Sequence, residues 1–206
     1  MLATIEKQEE ITSLDQLDPN GIYTYADYLT WKFEETVELI KGKIYRMAAP
    51  IRYHQGVSRQ LNGKFFNYFD NKACKFYAAP FDVRLYNRQK SERANKNIYS
   101  VIQPDVCVVC DLTKLDRNGC LGAPDLMVEI LSPGNSKKEM RTKYALYEES
   151  GVREYWIVSP EHEYIAQHIL QANGKYAPPQ YFFKDDAMPC AIFPDLILEL
   201  EKVFID

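Results

Sequence analysis

Two short apolar runs, Val-Cys-Val-Val-Cys at 106–110 and Leu-Met-Val-Glu-Ile-Leu at 126–131, constrain this chain more than any other feature. Each is nearly continuous rather than alternating, the pattern of a central strand covered on both faces. Each also carries a carboxylate: Asp105 immediately precedes the first run, and Glu129 lies inside the second. A carboxylate in an apolar strand is costly unless it is paired, protonated or bound to a metal. On neighbouring strands the two acids would converge at one end of a sheet. Oxygen ligands of this kind suit Mg²⁺, which one or two carboxylates hold while water and a phosphate complete the shell. The plainer alternative is that each acid caps a backbone group or pairs with a nearby Arg.

The flanking sequence supplies the layers. Thr24 is placed to cap a short helix over 25–31. Residues 36–40 and 43–47 are β-rich and flank Lys41-Gly42, which reads as a hairpin. From 54 to 69 the spacing turns helical, with Val57, Leu61, Phe65, Tyr68 and Phe69 on one stripe and His54 at its start. Residues 76–86 alternate as one strand, with Asp82 and Arg84 on its polar side, where a structural ion pair is at least as good an account as catalysis. A polar loop over 87–100 carries Arg88, Lys90, Arg93 and Lys96. A helix over 137–150 is expected, with Ser136 and Glu139 as a capping box and Gly151 as its stop. A strand over 154–158, a hairpin from 164–170 and 175–183, and a short apolar element over 194–204 complete the chain. Strands enclosing helices imply an α/β layer fold with a mixed β-sheet. Residues 1–20 read as a flexible lead-in and 21–206 as a single domain.

A chain of 206 residues with 46% hydrophobic content can build one real core. It has no apolar run long enough to span a bilayer and no signal-peptide h-region near its start, so a cytoplasmic protein without membrane contact is expected. The net charge of −4 argues against a protein that coats nucleic acid, but not against a nuclease, in which only the groove must be basic. Five cysteines are an odd number, and no disulfide framework is expected. Cys107 and Cys110 form a CxxC, but three apart in a strand they point to opposite faces, so they read as small apolar residues rather than a zinc site.

Several further motifs fall in a recognisable order: Val37-Glu38-Leu39-Ile40, His54, Gln103-Pro104-Asp105, Glu129-Ile130-Leu131-Ser132-Pro133, Lys143 and Gly151-Val152-Arg153-Glu154-Tyr155-Trp156. From about Tyr25 to the C-terminus this set resembles a bacterial family described as putative restriction endonucleases, within the PD-(D/E)XK nuclease superfamily. The resemblance implies a restriction-endonuclease-like mixed β-sheet flanked by α-helices. It also implies an endonuclease that hydrolyses DNA phosphodiesters with Mg²⁺ or Mn²⁺. Asp105 and Glu129 would be metal ligands, with the backbone carbonyl of Ile130 as a third. The motif lysine would stand two residues after Glu129, but that position is Leu131; Lys143 on the following helix is the matching candidate, expected within a hydrogen bond or one bridging water of Glu129. Glu38 would hold a further water or a second metal. His54 would be a ligand or proton shuttle, against the alternative of a satisfied core histidine.

Glu139, where the family often has Asp, is explained by capping and is not assigned to the site. Pro124-Asp125 is a second PD pair, and Asp105 is preferred because strand-to-strand acids converge from two directions. Lys137, Lys138, Arg141 and the 88–96 loop read equally well as phosphate contacts and as solvated surface. Tyr155 and Trp156 read as packing. Two other readings stay open: a non-catalytic nucleic-acid-binding or regulatory module that retains the fold, and hydrolysis of another phosphoester. Cutting both strands would favour a homodimer by two-fold symmetry.

Overall fold

A computed structural model describes residues 10–47, 49–86, 94–133 and 137–205. After a 3₁₀ turn at Leu14–Gln16, the elements in chain order are α1 (Tyr25–Tyr28), β1 (Val37–Ile40), β2 (Lys43–Arg46), α2 (Arg52–Phe69), β3 (Lys75–Ala78), β4 (Val83–Leu85), β5 (Ser100–Ile102) and β6 (Val106–Val109). They continue as β7 (Leu115–Asp116), β8 (Gly119–Leu121), β9 (Leu126–Ile130), α3 (Lys137–Ser150), β10 (Glu154–Ser159), β11 (Tyr164–Ile169), β12 (Gln180–Phe183), β13 (Ala187–Pro189), β14 (Ile197–Glu199) and α4 (Leu200–Val203).

The architecture is mixed α/β, with two six-stranded sheets where the sequence suggests one. The first runs β2-β1-β5-β4-β8-β7 and the second β12-β11-β10-β9-β6-β3; β13 and β14 form a separate ribbon. The single strand expected over 76–86 is broken at Pro80. Its first part, β3, pairs with β6 in the second sheet, and its second part, β4, pairs with β5 in the first. Two chain segments therefore cross between the sheets side by side, at 79–82 and at 103–105. Ala79 N–H donates to the Asp105 carbonyl across this bend, at 3.2 Å. Gln103-Pro104-Asp105 thus stands where the sheets diverge.

Local chemistry explains the neighbouring elements. Thr24 caps α1 and Asp27 returns the bond to the Thr24 N–H, a capping box. Lys41 and Gly42 both have positive φ, 52° and 79°, as a two-residue hairpin turn between β1 and β2 requires. On α2 the buried residues are His54, Val57, Leu61, Phe65 and Phe69, a stripe three and four apart. That stripe packs with Leu126, Val128 and Trp156 on one face of the second sheet. On the opposite face Met127 and Tyr155 meet Leu146 and Tyr147 of α3, together with Ile40, Val83 and Leu85 of the first sheet. Glu129 alternates with the α2-facing residues of β9, so its side chain belongs to the α3 side.

Within the stretch read as a lead-in, Leu14 and Leu17 are buried against Val37. The cysteine expectation is corrected at one pair: Cys74 and Cys110 form a disulfide. They fall opposite each other at the end of the antiparallel β3–β6 ladder, where Lys75 pairs with Val109. Cys107, Cys120 and Cys190 are free and buried. Among the described residues no helix is long and apolar enough to cross a membrane.

Candidate active site

The register of β6 and β9 sets the acids together. Val106 pairs with Val128 in an antiparallel ladder, and one step further brings Asp105 opposite Glu129. The Ile130 N–H donates to Asp105 Oδ2 at 2.7 Å. Asp105 Oδ1 lies 3.2 Å from Nε2 of His54, in the first turn of α2. The other nitrogen of that ring, Nδ1, is buried with no hydrogen-bond partner among the described residues.

Lys143 reaches Glu129 from α3. Its Nζ stands 3.1 and 3.2 Å from the two Glu129 carboxylate oxygens, and 2.9 and 3.1 Å from those of Glu38 on β1. The ammonium is nearly enclosed, its side chain 9% exposed, with Glu38 at 1% and Glu129 at 13%. The Tyr147 hydroxyl, one turn further along α3, donates to Glu129, and the Gln103 N–H donates to Glu38 Oε1 at 2.9 Å. Leu131 shares the Glu129 side of its strand, so a lysine for this spot comes from the helix instead.

Two carboxylates, Glu38 and Glu129, therefore share one ammonium, and a third, Asp105, stands beside them in the wall of the same cavity. Burial pushes the Glu129 carboxyl above its ordinary range, with Glu38 and Asp105 adding to the rise, while Lys143 and the Tyr147 hydroxyl oppose it. The Lys143 amine is held above its ordinary value: the charges of Glu129 and Glu38 outweigh the cost of its burial. The cluster opens on a cavity of about 560 Å³ whose wall includes Glu38, His54, Asp105, Glu129, Lys143 and Glu139.

The structure thus brings together Glu38, His54, Asp105, Glu129 and Lys143, with Ile130 lining the same cavity. Glu139, set aside as a capping residue, also lines it; its position four before Lys143 on one helix face is the sequence signal for this. Tyr147 and Gln103 are further contributors. Tyr147 is legible only as a core residue of α3, and Gln103 only as a neighbour of Asp105. Asp82 and Arg84 do not form the expected pair. Arg84 contacts Asp116 at 2.5 Å, and Asp82 Oδ1 accepts from Gln103 Nε2 at 2.8 Å. Burial raises the Asp82 carboxyl, with Gln103 and Arg84 opposing. Asp125, of the second PD pair, accepts from the Cys110 N–H at 2.8 Å and pairs with Arg153 at 3.1 Å. Arg88, Lys90, Arg93 and the Ser136 cap lie outside the described residues; Lys96 is exposed.

Residues 25–201 match a family model described as Uma2, putative restriction endonuclease. An uncharacterized protein of Synechocystis sp. is 28% identical over 136 residues, which cover 65% of this chain and 66% of that protein, just under two thirds of its length. The fold is similar to the crystal structure of a putative nuclease belonging to DUF820 from Anabaena variabilis. That likeness has a TM-score of 0.68 and 20% identity, over 88% of this chain and 97% of that one.

Proposed function

This chain belongs to the Uma2 family of putative restriction endonucleases, and on that premise we propose that it is a metal-dependent endonuclease of the PD-(D/E)XK type acting on DNA. The observation that carries the reading is the Lys143 ammonium clamped between Glu38 and Glu129, with Asp105 beside them at the mouth of a cavity. The donor set suits a hard divalent cation: it is all oxygen, and its negative charge exceeds what one ammonium offsets. Among the described residues no three of His, Cys, Asp and Glu are grouped to hold a metal. Asp105 and Glu129 would therefore hold Mg²⁺ or Mn²⁺ with water and a substrate phosphate, as Mg²⁺ sites commonly do; the Ile130 carbonyl is the further ligand in this reading. Such an ion, when bound, polarises a phosphoryl oxygen and acidifies its water.

The chain's own residues supply the rest. Lys143 places a fixed positive charge where negative charge develops on the phosphoryl oxygens and orients the attacking water. Glu38 holds that ammonium in place, and the Gln103 N–H holds Glu38. The Ile130 N–H holds one oxygen of Asp105, and His54 Nε2 stands 3.2 Å from the other, so the two together limit the directions open to a ligand. Cleavage of plasmid and of single- and double-stranded linear DNA with Mg²⁺ or Mn²⁺ tests the reading. Asp105→Ala and Glu129→Ala are expected to lose cutting and Mn²⁺ binding by calorimetry, whereas Lys143→Ala loses cutting and keeps the metal. Unchanged Mn²⁺ affinity in both acid variants sinks the metal site.

A second reading, a non-catalytic nucleic-acid-binding module that keeps the fold, draws on the lack of a three-ligand group among the described residues. Binding of DNA without cutting under every metal would favour it.

A further inference from the structure

Helix α3 presents two working faces. Glu139 and Lys143 look into the cavity, while Lys138, Arg141, Thr142 and Ala145, at spacings of three and four, form a second stripe. That stripe lines a separate concavity of about 640 Å³, together with Lys137 and with Lys41 from the β1–β2 turn. Four of its six lining residues are cations and none is an acid. In a chain of net charge −4 such a cluster is a local reversal of sign. Lys41 is paired with Glu149 at 3.1 Å. Lys137, Lys138 and Arg141 are exposed and form no ion pair among the described residues.

Stability does not account for the placement of Lys137 and Lys138. Lys137 and Lys138 occupy the first turn of α3, where the helix dipole already presents positive charge and an added cation is unfavourable by about 0.3–1 kcal/mol. Unpaired cations, on the rim of a concavity whose lining residues include no acid, concentrate positive potential outward, where a polyanion meets it. The same helix carries Lys143 to the cleavage site, so an anion seated on one face is held rigidly relative to the other.

We propose that the Lys137–Lys138–Arg141 face of α3 is a docking surface for the phosphate backbone of duplex DNA beside the cleavage site, reading charge and not sequence. This inference rests on the nuclease reading. Its test is fluorescence anisotropy with a labelled DNA duplex in EDTA across a salt series. Wild type is compared with the triple variant Lys137→Ala/Lys138→Ala/Arg141→Ala and with a charge-matched control, Lys72→Ala/Lys184→Ala/Lys202→Ala. The expected result is affinity lowered about tenfold or more in the first variant alone, with the slope of log K against log salt reduced by about three. Equal melting temperatures check that all three proteins are folded.

Tight binding by the first variant, or an equal loss in the control, overturns the surface and leaves the nuclease reading standing. A wild type that binds no duplex at low salt likewise overturns the surface, while cleavage with Mg²⁺ or Mn²⁺ decides the nuclease reading separately. An RNA duplex bound more tightly than DNA overturns the choice of partner.

Discussion

Replacing Lys143 by Met keeps the stem and removes the one ammonium between Glu38 and Glu129. Its four contacts, at 2.9–3.2 Å, are the only ion pairs those carboxylates make among the described residues. Breaking a buried ion pair from one side costs about 3–5 kcal/mol. The site has a cheaper response, because a carboxyl left without its cation takes up a proton. Protonating a glutamate with an ordinary pKa of 4.5 at pH 7 costs about 3 kcal/mol, at about 1.4 kcal/mol per pH unit. That sets an approximate ceiling on the loss. Near pH 7 the native variant then takes up more of a proton than wild type, whose own Glu129 carboxyl already sits above its ordinary range, while the unfolded chains hold equal numbers. With more protons bound in the native than in the unfolded state, stability falls as pH rises from the ordinary glutamate range towards the raised folded value. The destabilisation should therefore be at most about 3 kcal/mol at pH 7, and smaller still, below about 1 kcal/mol, at pH 5. Urea unfolding of both proteins in EDTA at pH 5, 6 and 7 measures it. A difference that is the same at pH 5 and pH 7 refutes the idea that the buried carboxylates depend on this ammonium.

Three other outcomes follow from the same contacts. Asp105→Asn should keep the fold within about 1 kcal/mol in EDTA, since the amide oxygen can still accept from the Ile130 N–H, yet lose Mn²⁺ binding by calorimetry. Glu154→Ala should destabilise by about 3–5 kcal/mol in urea without changing Mn²⁺ affinity, because this fully buried carboxylate accepts from Trp156, Gln167, Ala191 and Ile192; Gln167 keeps the Pro189 carbonyl, but the other three donors would lose their acceptor. Cys74→Ser/Cys110→Ser, compared with the oxidised protein by thermal or urea unfolding, should lose about 4 kcal/mol, the chain-entropy value for a bridge spanning a sequence separation of 36.

The parts of the fold legible in the sequence are those set by local period. The α2 stripe, the Lys41-Gly42 turn and the buried runs at β6 and β9 all announce themselves within one or two turns of chain. Asp105 and Glu129 are legible for the same reason: an acid beside or within an apolar run is a local anomaly. Their antiparallel pairing, which puts them opposite each other, is not local and had to come from the structure. The division into two sheets was hidden because residues 76–86 keep an unbroken alternation through Pro80, so period alone gives no sign that β3 and β4 choose different partners. Glu154 was hidden in a different way. Its donors include the backbone at 191 and 192, far along the chain, and nothing near Glu154 signals that they arrive.

Glu154 and Glu129 show why an acid in an apolar strand is an ambiguous sign until its partners are known. Both lie on central strands of the second sheet, β10 and β9, which pair in parallel. Glu154 accepts from indole, amide and backbone N–H groups, neutral donors that a carboxylate can use permanently and that leave no room for a ligand. Glu129 instead shares one ammonium with Glu38, accepts from one tyrosine and faces a cavity. Its charge is only half answered, and burial pushes its carboxyl towards the neutral form. A fully answered carboxylate holds the fold together; one left partly unanswered beside open space is available for chemistry. In this chain the difference arises from where the donors come from. The segment after β13 folds back over Glu154, whereas Glu129 borders a cavity.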